Sequence, residues 1–477
     1  MDTPAATPPE PKLYRVGTLT YTRAALLQVM FWMLWGDFFF QLLEMLPAAA
    51  VPLQMRWEGA SDTLIGLKSS LSSAVVFLWY PVVGAKSDRH RSPLGRRRPF
   101  LLWCIPPVVL CLFLLGAAKP AGALLHQALA WLGLGAQLTQ AGCTLGWILV
   151  CLVVFMLFNA FLVQSYGCLV ADVIPPEVIG KFSGIYRAIG ALGSLAFNRW
   201  VLRWLEAYTF QVYALIGLLY AGAFCLIVWR VKEGTYPPPP PKAPGGRLGA
   251  IKGFLRESFS HPFYLNFYVM TFFNWASLAP LAYVVFFATK AGQPDYATTL
   301  GLSLQEFGEV NGWTFLVQIP VFLVVGHFVD RFHPLRVAVV GMFLECVSYL
   351  CCFWFIHGPN SLLLWACVNQ IAIAIFIGPY MALGLRLLPR SRYGQFVGAN
   401  AIFGISSLII APPLVGMLLG VIRDYRYIYV LSGLCTVLAL IATWTLFLQW
   451  KKLGGDKHFT PPEVGGASTV SPAPTPA

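Results

Sequence analysis

The sequence predicts an all-α integral membrane protein, twelve transmembrane helices in two pseudo-symmetric six-helix bundles, and three observations carry the prediction. Of the 477 residues, 57% are hydrophobic and only 11% charged, whereas soluble chains carry about 25% charged residues. The apolar residues gather in twelve runs, each near the ~20 residues that a membrane helix needs. Motifs of the first half recur, in the same order, in the second. The ten-residue alternation of a membrane barrel is missing from the runs, so they read as helices.

The first fifteen residues are polar and Pro-rich, and the apolar stretch after them, 24–46, is too long and too acidic for a cleavable signal. It is the first span; 64–85 and 99–118 follow. The stretch 117–144 has a short, Gly-interrupted apolar middle and reads as a loop carrying an interfacial helix. Spans 145–170, 182–204 and 209–231 complete a first bundle, residues 1–231. Segment 232–262 contains a five-proline run, which cannot continue a helix, and then a basic stretch suited to anionic headgroups. It reads as a cytoplasmic linker. The second bundle, 263–450, holds spans 263–288, 308–329, 335–357, 361–385, 396–421 and 427–449, and 451–477 reads as a disordered cytoplasmic tail.

A net charge of +13 would suggest nucleic acid for a soluble protein. Placed on this topology, 25 of the 33 Lys and Arg lie on the side of the termini and 7 on the other, with Lys68 inside the second span. The excess therefore puts both termini in the cytoplasm, and no nucleic-acid partner is expected. The eleven cysteines lie in or beside apolar runs without CxxC spacing, as small core hydrophobes do. Neither a metal nor another cofactor is expected. The absence of an NxS/T sequon points to a bacterial inner membrane.

The internal repeat has two parts. GAKSDR (Gly84, Asp88, Arg89) ends the second span and GHFVDR (Gly326, Asp330, Arg331) the eighth, 242 residues apart. A second match, at an offset of 214, pairs Tyr166 with Tyr380, Pro175 with Pro389 and Gly190 with Gly404. The difference of 28 residues is the long loop after the third span. In these motifs glycine permits close helix approach. The aspartates stand at helix C-termini, where the dipole disfavours them, so their favourable partners are a neighbouring helix N-terminus or an arginine.

This six-plus-six arrangement with GxxxDR after spans two and eight resembles the major facilitator superfamily. GAKSDRHRSPLGRRRPF, with its five-residue insert and GRRRPF ending, resembles the sucrose symporters and the related glycoside, pentoside and hexuronide symporters. The resemblance implies the superfamily's two-bundle fold, cation-coupled sugar or glycoside transport, and a cytoplasmic gate at Gly84, Asp88, Arg89, Gly95, Arg96, Arg97, Gly326, Asp330 and Arg331. Two features differ from that branch: the second span holds Lys68 in place of the sodium symporters' acidic residues, and FMLFNAF in the fourth span lacks the carboxylate of the plant sucrose carriers.

Charges within hydrocarbon are expensive and usually face a cavity. Asp37, Gln41 and Glu44 stand at i, i+4 and i+7 on one face of the first span. A carboxyl held out of water takes up a proton more readily, as a proton carrier requires; the competing role is a structural ion pair. Arg187 shares a face of the fifth span with Ser194 and Asn198. It could neutralise Asp37, grip substrate hydroxyls or snorkel to the headgroups. Asp37, Glu44 and Arg187 are thus the candidates for coupling to the proton. Gln41, Asn159, Tyr166, Asn274, Gln318, Asn369, Gln370 and Asn400 are candidate substrate contacts. Neutral donors and acceptors in both halves suit a polyhydroxylated solute, with Trp32, Trp275 and Trp313 as faces for a sugar ring; the competing role is interhelical hydrogen bonding.

No HExxH, paired DxxxD or Ser/His/Asp grouping points to an enzyme. The expected function is proton-coupled import of a saccharide by a monomer. The alternatives are a proton-independent facilitator or exporter of another metabolite or drug, and a transporter-derived receptor, for which the linker and tail are short.

Overall fold

The computed structural model describes residues 13–133, 137–236, 254, 256–389 and 392–462; the polyproline run and residues 463–477 lie outside these. Twelve long helices are α1 Arg23–Trp57, α2 Asp62–Arg89, α3 Arg98–Gly116, α4 Gln140–Val173, α5 Ile179–Ala196, α6 Thr209–Arg230, α7 Pro262–Ala288, α8 Leu304–Arg331, α9 Pro334–Phe355, α10 Pro359–Leu387, α11 Tyr393–Ile422 and α12 Tyr427–Lys452. The stretch between the third and fourth spans contains a helix, Ala118–Trp131. Ten of the twelve are long and apolar enough to cross a membrane. The exceptions, α2 and α5, carry Lys68 with a run of serines, and Arg187 with four glycines. These two helices lie against the opposite half, where small and polar residues find protein partners in place of lipid.

The first helix differs most from expectation. Pro47 and Pro52 should end it; instead the backbone widens into a π turn over Leu46–Ala50 and resumes as Val51–Trp57. In π geometry the Pro47 carbonyl looks to residue 52, which as proline has no N–H. The buried ammonium of Lys68 donates to that carbonyl instead, so the charge inside α2 braces α2 against α1. Similar interruptions end α5, where a π turn (Phe197–Val201) leads into Leu202–Trp204, and shape α7, where Pro280–Tyr283 is a 3-10 turn.

Two terminal segments also depart from the sequence reading. Residues 14–21, ahead of the first span, form a hairpin of β1 Tyr14–Val16 and β2 Leu19–Tyr21, turned at Gly17 with φ of 55°. The tail is folded as far as residue 462: Phe459 packs on Phe263 at 5.6 Å, and the Tyr264 hydroxyl donates to the Pro462 carbonyl at 2.7 Å.

The main helix contacts in the two halves correspond. In the first, α1 packs on α5 and α6, α3 on α4 and α6, and α2 on α4; in the second, α7 packs on α11 and α12, α9 on α10 and α12, and α8 on α10. The halves meet along two seams, α2 with α11 and α5 with α8. At the first, a Cβ on Gly66 would collide with the Pro412 carbonyl; at the second, a Cβ on Gly308 would collide with the Asn198 carbonyl. Gly66 and Gly308 are 242 positions apart, and Asn198 and Pro412 are 214 apart, the offsets of the two repeats. One backbone contact is therefore made twice. One turn further on, Ser70 Oγ donates to the Ile409 carbonyl, and the equivalent place holds Gly312 against Leu195.

Gly66→Val and Gly308→Val should each weaken a seam by roughly 1–3 kcal/mol through overpacking. The check is the distance between spin labels on the two halves at this face, which should lengthen in both variants alike.

Candidate functional site

The polar stripe of α1 faces the first half's partner helices. Asp37 is fully buried, and neither carboxylate oxygen has a hydrogen bond of full geometry among the described residues. The Tyr186 hydroxyl of α5 is directed at it. Gln41 packs at Gly190 and Gly193 of α5, where a Cβ on Gly193 would lie 2.9 Å from Gln41 Cβ. Glu44, half-buried, accepts from Asn159 Nδ2 of α4 at 2.7 Å. A candidate coupling residue and a candidate substrate contact thus meet each other. Arg187 is exposed, makes no ion pair among the described residues, and lies 5.7 Å over the Phe322 ring of α8.

The paired tyrosines of the repeat do corresponding work. Tyr166 of α4 donates to the Met33 carbonyl of α1 at 2.6 Å. Tyr380 of α10 shares a hydrogen bond with Thr271 of α7 at 3.2 Å and accepts from Asn400 at 2.8 Å. The paired glycines correspond as well: Gly190 admits Gln41, and Gly404 admits Trp275, whose ring atoms lie within 3.5 Å of where a Cβ would be. Gln318 donates to Gln370 at 3.0 Å and Asn369 to Ser348 at 2.8 Å. The side-chain amide of buried Asn274 makes no hydrogen bond among the described residues.

The side chains of Gly84, Asp88, Arg89 and Asp330 lie outside the described residues. The rest of the first motif is built around two acids that sequence reasoning missed. Gly95 takes φ of 105°, which lets the backbone N–H groups of Arg96, Arg97 and Arg98 converge on the Glu233 carboxylate at 2.7–3.2 Å. This is an anion held at the N-terminus of α3. Arg96 also grips Asp172, at the end of α4, with two bonds of 3.1 and 2.6 Å, and stacks 4.0 Å over Tyr236. Arg97 reaches Asp172 at 3.5 Å and donates to Ser87. Burial, with the carboxylates of Asp172 and Glu233, pushes the Tyr236 phenol above its usual range. Asp172 stands in the GCLVADV segment and Glu233 beside the proline run, but their pairing requires the fold. These bonds stay within the first half. Gly326 has open space where a Cβ would be, so it is not a point of close helix approach, and Arg331 is exposed over Phe332.

Glu233→Ala should lower stability by about 1–3 kcal/mol by leaving those N–H groups without their acceptor, measured as a lower melting temperature relative to Glu233→Gln.

At the face opposite the termini the halves are locked. Buried Arg56, at the end of α1, pairs with buried Asp62, at the start of α2. Three tyrosines of the second half close on this pair: Tyr425 on Asp62 Oδ1 at 3.0 Å, Tyr296 on Oδ2 at 2.7 Å, and Tyr283 on the Asp62 carbonyl at 2.8 Å. The Arg56 guanidinium lies 4.6 Å over the Phe286 ring. On the other seam Arg199 pairs with Glu309 at 2.9 Å and Asn311 donates to Asn198 at 2.9 Å. Among the described residues, every hydrogen bond and ion pair between the halves lies on this side. Sequence patterning singles out neither Arg56 nor Asp62. Glu345 of α9 is buried in the second half, bonded by Tyr349 at 3.1 Å and Ser277 at 3.5 Å.

Two pseudo-symmetric six-helix bundles, joined along two seams and locked to each other on the face opposite the termini, define the class of fold. The comparisons agree: residues 281–472 match the model of the Major Facilitator Superfamily. The structure is similar to that of a nucleoside transporter (12% identity, covering 88% of this chain and 100% of that one, TM-score 0.63). It is likewise similar to a D-xylose-proton symporter (14%, 89% and 97%, 0.59) and to a peptide transporter in complex with sulfate (16%, 92% and 97%, 0.61). The chain is therefore a multi-pass membrane protein with the major facilitator fold, a transporter fold rather than an enzyme's. No curated protein matches the sequence.

Proposed function

We propose that the protein is a secondary transporter that imports a saccharide, as a free sugar or a glycoside, together with protons by alternating access. The observation that carries the reading is Asp37: a buried carboxyl on a central helix, short of hydrogen bonds among the described residues and faced by Tyr186. Loading a proton removes the charge of Asp37; losing it restores an anion that faces Tyr186, the residue next to Arg187 on α5. The two states therefore favour different placements of α5, and such a difference is what lets an ion drive a conformational cycle.

The basic residues on the side of the termini orient the chain with both termini in the cytoplasm, so the locked face is the external one. A monomer in a bacterial inner membrane is the simplest assembly. For the solute, the solved relatives named above carry nucleosides, xylose and peptides. The GRRRPF motif and the uncharged amides of Asn274, Gln318 and Gln370 favour a saccharide. A second reading, proton-independent passage of an acidic metabolite, is favoured by Arg187, a cation with no ion pair among the described residues.

The test is uptake of labelled mono- and disaccharides and glycosides into proteoliposomes, with and without an imposed proton gradient. Saccharide uptake that rises with the gradient and collapses with a protonophore is expected. Uptake of none of them overturns the reading.

A further inference from the structure

Between the halves, just inside the locked face, lies a cavity of about 210 Å³. Its walls come from both halves: Ala48 and Pro52 of α1, Ile65 and Ser69 of α2, and Trp275 and Ala282 of α7. Ala48 lies four positions beyond Glu44 in α1, within the π turn, so the cavity begins just past the end of the stripe that carries Asp37, Gln41 and Glu44. Its own character is different. The lining is almost entirely carbon, and the hydroxyls of Ser69 and Ser73 donate to their own helix, to the Ile65 and Ser69 carbonyls at 3.4 and 3.1 Å. A sugar ring placed here would leave hydroxyls without partners. An apolar ring would not, and apolar cavities of ~150 Å³ hold benzene.

The cavity is also joined to the lock. Tyr283, which bonds the Asp62 carbonyl, and Pro412, whose carbonyl abuts Gly66, both line it. It therefore has this shape only while α2 and α11 are closed on each other, and a group that fills it favours that closure.

We propose that this cavity is a subsite for an apolar, ring-sized group on the transported solute, so that the preferred substrate is a glycoside with an aryl aglycone. The sugar lies along the α1 stripe and the aglycone lies between Trp275 and Pro412. The proposal rests on the reading of the protein as a saccharide transporter.

The experiment measures half-saturation for uptake of matched phenyl and methyl glucosides and galactosides in proteoliposomes. Burial of the ring should favour the phenyl compound by about tenfold or more. Ala48→Phe and Ala282→Phe fill the cavity from opposite walls, and each should collapse the phenyl-to-methyl preference, with size-exclusion profiles confirming that both variants fold. Equal affinity for the two glycosides in the unsubstituted protein, or a preference that survives both substitutions, overturns the subsite and leaves the transport reading standing. Transport of neither glycoside overturns that reading, and the subsite with it.

Discussion

Asp37→Asn is expected to abolish accumulation of solute against its gradient while leaving exchange of solute between the two sides of the membrane measurable. Asparagine keeps the volume of the side chain and its contact with Tyr186, so the packing of α1 on α5 should survive. What it removes is titration. If protonation of Asp37 is what makes one conformation more populated than another, a residue that never changes charge cannot transmit the gradient, because an ion shifts an equilibrium only by its differential affinity for the two states. Gradient-driven uptake should fall at least about tenfold, to the level seen without a gradient. Counterflow in vesicles preloaded with solute separates this outcome from simple misfolding. Asp37→Asn vesicles that still accumulate solute on acidification of the outside would remove Asp37 from the coupling mechanism.

Asp62→Ala should have the largest effect on conformation. Among the described residues, the substitution leaves the buried Arg56 guanidinium with the Ala60 carbonyl, the Tyr425 hydroxyl and the Phe286 ring as partners. Removing one member of a buried ion pair typically destabilises by about 3–5 kcal/mol, because the remaining charge is uncompensated. Here that destabilisation is specific to the locked state: when the halves part, Arg56 reaches water. The variant should therefore favour opening of the face opposite the termini, seen as faster labelling, by a reagent added on that side, of a single cysteine introduced at Ser69, which lines the cavity just inside the lock, in a cysteine-free background. The double substitution Arg56→Met with Asp62→Leu should restore much of the closure, since a buried pair replaced by apolar residues is often neutral. Unchanged labelling in Asp62→Ala would show that the lock contributes nothing to closure.

Hydropathy placed ten of the twelve helices to within a few residues, because twenty apolar residues in a bilayer leave the backbone one way to satisfy itself. The first helix ran further than expected: prolines that break a helix in water were accommodated by a π turn and by a lysine from the neighbouring helix, and that remedy is invisible until the two helices are side by side. The site was legible in the same graded way. A stripe such as Asp37, Gln41 and Glu44 follows from helical spacing. The bond from Asn159 to Glu44, the hold of Asp172 and Glu233 on the GRRRPF turn, and the three tyrosines around Asp62 join residues 115, 76, 137, 221, 234 and 363 positions apart. No local pattern announces such pairings. The repeat was the exception, since the offsets that align its motifs also align the tyrosines and the glycines that serve equivalent contacts.

The doubled seam says something about how the molecule is specified. Gly66 against Pro412 and Gly308 against Asn198 are the two copies of an isologous contact, the kind formed when a subunit pairs with itself about a twofold axis. A six-helix unit carrying both surfaces would dimerise through them without a tether, so the mutual orientation of the halves is written in α2, α5, α8 and α11, and the connecting segment need only be long enough. Severed between the bundles and co-expressed, the two pieces should find each other.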